Sequence, residues 1–113
     1  MATYTTTFAA DVSLTKVMTV KLPGTVTEWF ANAYVYGTFG SGTVTLFVSP
    51  DGGTTKIALK DAISGTAITT ATAAMFTLRL GSGSTLSDNA IIYATLSGST
   101  NPVLKVTIQD NLA

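Results

Sequence analysis

The chain has 113 residues, 46% of them hydrophobic, with 6 basic and 6 acidic side chains, no cysteine and no histidine. This excludes intrinsic disorder, a disulfide scaffold or Cys/His zinc site and every histidine-based acid–base mechanism; with no basic excess to neutralise phosphates, nucleic-acid binding is disfavoured too. Charged residues make up only 11%, while 22 threonines and 9 serines supply small hydroxyls; an ordinary soluble domain carries roughly 25% charge.

This length predicts one domain. No apolar run approaches the roughly 18 residues that span a bilayer. The first basic residue is Lys16, so the charged n-region of a signal peptide is not read, and no membrane is expected as a partner. At zero net charge there is little electrostatic protection against self-association.

In chain order, residues 1–10 (Met-Ala-Thr-Tyr-Thr-Thr-Thr-Phe-Ala-Ala) carry no charge and few turn signals. They read as an N-terminal arm reaching onto a partner or as an edge strand, ahead of a sandwich domain over 11–113. Positions 12–22 alternate, with Val12, Leu14, Met18, Val20 and Leu22 on one face, and Lys16 and Val17 break the pattern. Pro23-Gly24 punctuates the chain. Residues 26–39 hold Trp29, Phe30, Tyr34, Tyr36 and Phe39, suited to strand, although Val26 to Ala33 could hold a short helical turn. Gly40-Ser41-Gly42 is a turn.

Thr43 to Val48 alternates, Ser49-Pro50-Asp51-Gly52-Gly53 has turn chemistry, and Thr54 to Leu59 returns, which predicts a β-hairpin. Residues 60–71 read as loop or short strand. Over 72–80, Ala74, Phe76, Leu78 and Leu80 point inward, with Thr77 and Arg79 outward. Gly81 to Ser84 is a loop. A strand follows with Ala90, Ile92, Ala94 and Leu96 inward, then a turn over Gly98 to Pro102. The last strand puts Leu104, Val106 and Ile108 inward and Lys105, Thr107 and Gln109 outward. About seven or eight short strands at such spacing predict an all-β chain. Its form is a single antiparallel β-sandwich, jelly-roll or Ig-like, with a partly closed barrel left open.

Six carboxylates are present: Asp11, Glu28, Asp51, Asp61, Asp88 and Asp110. None forms a recognisable acid/base spacing, and four fall at turns or strand ends, where capping is their expected work. Asp51-Gly52-Gly53 lacks the alternating oxygen ligands of a calcium loop. Neither Gly-Ser-Gly loop leads into GK[ST] and a helix, as a phosphate loop requires. No catalytic residue, metal ligand or cofactor is expected, and the chain does not read as an enzyme. Trp29, Tyr34 and Tyr36 are either core aromatics or a sugar-stacking platform. The latter would make this a carbohydrate-binding β-sandwich module.

The stretch from Tyr34 through Gly37-Thr-Phe-Gly-Ser-Gly-Thr-Val-Thr-Leu-Phe-Val-Ser-Pro-Asp-Gly-Gly-Thr-Thr55 resembles a recurring segment of small tailed-bacteriophage virion proteins. There it reads approximately G-x-F-G-G-G-T-V-x-L-x-x-S-P-D-G-G-T-T-W. Lys56 stands here in place of the final Trp, which removes an aromatic that would pack over the hairpin. The resemblance covers about a fifth of the chain, and much of its motif is hairpin chemistry. It implies a structural virion component. A capsid decoration (cement) protein suits this size best; a head-fibre or tail component would look similar. The implied partners are the major capsid protein and further copies of the chain, commonly as a trimer. The implied location is the capsid surface, after synthesis in the host cytoplasm. Candidate interface residues are Thr3, Tyr4, Thr5 and Phe8, where an arm could add a strand to a neighbouring sheet, and Trp29, Phe30 and Tyr36, since aromatics dominate binding hot spots. For the aromatics, core packing is the competing role.

Overall fold

The computed structural model describes residues 3–20, 29–49, 53–80 and 90–110. Among them are nine strands and no helix: β1 (Thr3–Phe8), β2 (Val12–Val20), β3 (Trp29–Thr38), β4 (Thr43–Ser49), β5 (Ile57–Ala58), β6 (Thr69–Thr70), β7 (Ala74–Leu80), β8 (Ala90–Ser97) and β9 (Val103–Asp110). They form two antiparallel sheets packed face to face, a β-sandwich. One sheet has the order β1-β9-β3-β7 and the other β2-β8-β4-β5, with β6 also pairing β4. The two-residue strands β5 and β6 account for the excess over seven or eight.

Period-2 patterning explains this architecture. Along β8 the apolar residues Ala90, Ile92, Ala94 and Leu96 are buried and the residues between them are not. Along β9 Leu104, Val106 and Ile108 are buried on the core side. Alternating side chains on two such sheets close one core over which Trp29, Leu46, Ile68, Leu78, Ile92 and Leu96 are fully buried. Each such aliphatic side chain contributes roughly 1.5–3 kcal/mol relative to exposure.

Several expectations change. β2 does not hold one face. Its register slips twice against β8, between Val12 and Thr15 and between Lys16 and Met18. Each slip inserts one extra residue and flips the side chains that follow. Leu14 is therefore exposed at 41%, and Val17 and Met18 are both buried. Lys16 and Val17 broke the alternation because a bulge lies there. Residues 29–33 are strand, not helical turn. The hairpin return is Ile57–Ala58, shorter than Thr54 to Leu59. The first segment is an edge strand: β1 pairs β9 of its own sheet from Thr3↔Gln109 to Phe8↔Leu104. Leu22, Pro23-Gly24, Pro50 to Gly52, Gly81 to Ser84 and Asn89 lie outside the described residues.

Residues 59–70 form a strap that crosses from one sheet to the other. Leu59 and Ile68 plug the core, at 3% and 0% exposure. They are held by Leu59 N–H to Leu46 O (3.1 Å), Leu46 N–H to Ile68 O (3.1 Å) and Ile68 N–H to Leu59 O (2.9 Å). At its far side Asp61 Oδ1 accepts from Thr77 N–H at 2.8 Å, and Ala62 N–H donates to Thr77 O at 2.8 Å. The strap thus occupies backbone groups on the outer edge of β7.

One end of the sandwich is laced by turns. Asp11 accepts from the N–H of Gly98 (3.1 Å) and of Ser99 (3.0 Å), and from the Ser99 hydroxyl. Thr100 N–H donates to Gly40 O at 2.9 Å. Gly40 and Ser41 both have positive φ, 60° and 68°, the backbone of a type I′ turn. A Cβ on Gly40 would run into the Thr100 carbonyl, so only glycine permits this close approach.

Candidate functional site: the outer face of one sheet

The register assigns each outward side chain of the β1-β9-β3-β7 sheet to a row. Thr3, Gln109, Asn32 and Thr77 form one row, and Thr5, Thr107, Tyr34 and Met75 the next. Thr7, Lys105 and Tyr36 form a third. Phe30 sits beside Arg79 at one end, and Thr38 beside Val103 at the other.

Hydroxyls knit the centre. Thr107 Oγ1 lies 3.1 Å from both Thr5 Oγ1 and the Tyr36 hydroxyl. These neighbours cover Thr107, which is 8% exposed although it points outward. The Arg79 guanidinium sits 5.5 Å from the centre of the Phe30 ring, within cation–π range. Tyr34, Tyr36, Met75, Thr107 and Gln109 line an open depression of about 440 Å³. Met75 is 61% exposed and Val103 60%. Among the described residues the only charges on this face are Lys105 and Arg79, in rows near opposite ends. Such a face, with aromatic and thioether contact area and little charge to desolvate, has the composition of an interface core.

Of the candidate interface residues, Thr3, Thr5, Phe30 and Tyr36 share this face. The other three turn away from it. Trp29 is fully buried and Phe8 is 3% exposed, both in the core, and Tyr4 packs partly buried against it. These three are core aromatics, not exposed anchors. The parity of β3 explains the division: Trp29 shares the inner side with Ala31, Ala33 and Val35, and Phe30 shares the outer side with Asn32, Tyr34 and Tyr36. Trp29 therefore has no part in a sugar platform. Met75, Thr107 and Gln109 were missed as candidates, although alternation already placed Thr107 and Gln109 outward with Lys105, and Met75 has the same parity as Thr77 and Arg79.

The other sheet's outer face holds Tyr93, over which the Lys56 ammonium lies 5.6 Å from the ring centre. Lys56 also donates to the Gly53 carbonyl, and Gly53 N–H donates to Ser49 Oγ at 2.8 Å. Where the resembling segments carry Trp, this chain covers the hairpin with an alkyl stem and a cation.

The described carboxylates act as caps or lie buried. Asp11 is held below its ordinary value of 3.8, first by the Ser99 hydroxyl and then by the Ser99 N–H. Asp61 is also lowered, first by the Thr77 N–H and then by the Ser64 N–H. Asp110 is 3% exposed at the end of β9. Among the described residues no group of three or more Asp, Glu, His or Cys could hold a metal ion. Glu28, Asp51 and Asp88 lie outside the described residues. Comparison with protein-family models, with curated proteins and with solved structures finds no match for this chain.

Proposed function

We propose that this chain is a non-enzymatic structural protein of a phage virion that binds the outside of the capsid shell and stabilises it, as an oligomer. The observation that carries the reading is the outer face of the β1-β9-β3-β7 sheet. It offers Tyr36, Met75 and Val103 to a partner with only Lys105 and Arg79 as charges among the described residues. The sequence from Tyr34 to Thr55 supports the virion assignment through its resemblance to tailed-phage segments.

The mechanism is mass action. A protein that binds only the assembled shell stabilises it by RT ln(1 + [L]/Kd) per site, and many sites per particle multiply the effect. Wet threonines bring the surfaces into register, and the apolar side chains supply most of the affinity.

Co-sedimentation of the purified chain with phage heads tests this. Met75→Asp is expected to weaken head binding about tenfold or more while leaving the thermal unfolding midpoint in place, because Met75 lies outside the core. A wild-type chain that stays in the supernatant with every head preparation overturns the proposal.

A further inference from the structure

Sheet edges expose unpaired N–H and C=O groups, and chains usually block them. Here every described edge but one carries a block. β2 has two bulges and an exposed Lys16. β7 is covered at Thr77 by the strap of Asp61 and Ala62. β5 is two residues long and lies between Lys56 and Lys60. β1 differs from all three. Its six residues run in unbroken register with β9, and they contain no charge, no proline and no bulge. Among the described residues no strand pairs with its other side. Every second residue of such a strand directs its N–H and C=O away from its neighbour.

We propose that β1 is the edge at which two copies of this chain pair, antiparallel about a two-fold axis, joining two four-stranded sheets into one. The strand is its own complement: an antiparallel copy presents acceptors opposite each donor at the same spacing. No charged side chain in residues 1–10 repels that copy, and the chain's net charge is zero. Directly opposed side chains must share a face. With Thr5 on the axis, Thr3 of one copy lies opposite Thr7 of the other and Tyr4 opposite Thr6. The outward threonines then continue the hydroxyl row begun by Thr5 and Thr107. This pairing does not depend on the capsid reading.

Sedimentation equilibrium of the full chain tests it. Wild type and Thr5→Ser are expected to be dimers. Thr5→Lys and Thr5→Glu, each alone, place like charges across the axis and raise the dissociation constant about fivefold or more. An equimolar mixture of the two restores the dimer. Circular dichroism and a retained thermal transition establish that the variants fold. Hydrogen exchange on wild type, which needs no variant, is expected to show β1 amides losing protection on dilution. A monomeric wild type, a trimer, a dimer indifferent to Thr5→Lys, a mixture that stays monomeric, or β1 protection independent of concentration each overturns the proposal.

Discussion

Ile68 shows how much one residue of an irregular segment can weigh. It lies in the connection between two-residue strands, yet it is fully buried and its backbone bonds reach both Leu46 and Leu59. Ile68→Ala is expected to cost about 2–5 kcal/mol, measured by urea unfolding; a loss under 1 kcal/mol would mean that the strap can move without disturbing the core. Trp29 has a different local balance. Its ring is fully buried, and its indole N–H meets no acceptor among the described residues. Its contribution is volume and apolar area rather than a hydrogen bond. The exposed aromatics Phe30 and Tyr36 are held in place from the side, by Arg79 and by Thr107, so on the proposed reading docking would cost them less rotamer freedom than it costs an unrestrained side chain.

Legibility varied from element to element with the regularity of pairing. β7, β8 and β9 could be read with their facing, because each keeps a single parity from end to end. β2 could be recognised as a strand but not oriented, because two bulges reset its parity within nine residues. β5 and β6 are too short for any period to show. The outer face was half legible: alternation separates Phe30 from Trp29, but only tertiary pairing places Tyr36, Thr107 and Thr5 in contact. The strap also has a consequence at this scale. Asp61→Ala removes the acceptor for Thr77 N–H and Ser64 N–H and uncovers part of β7. That variant is expected to aggregate faster than wild type, as read by light scattering and thioflavin fluorescence. Equal rates would show that the Asp61 carboxylate is not what protects the edge.

At the scale of the whole molecule, the acid response follows from the two capping carboxylates. Asp11 ties the β1–β2 turn to the β8–β9 turn, and Asp61 ties the strap to β7. Both have folded values below 3.8. The unfolded state therefore binds protons first as pH falls. The stabilisation from these groups is complete above the ordinary carboxylate value and is lost as pH drops through the lower folded value. With no histidine, no side chain of ordinary pKa titrates between about pH 5 and 8. Thermal unfolding midpoints are expected to be level across that range and to fall below it, less steeply in an Asp11→Ala, Asp61→Ala double variant; an equal fall in the variant would assign the acid response elsewhere. A mechanical property follows from the pairing of β1 with β9. Thr3 lies opposite Gln109, so residues near the two ends of the chain are neighbours on adjacent antiparallel strands. Tension applied across that pair loads the ladder one hydrogen bond at a time instead of shearing all of them together. Stretched in this way, the molecule unzips from β1, and the strands behind it stay closed until that one has peeled away.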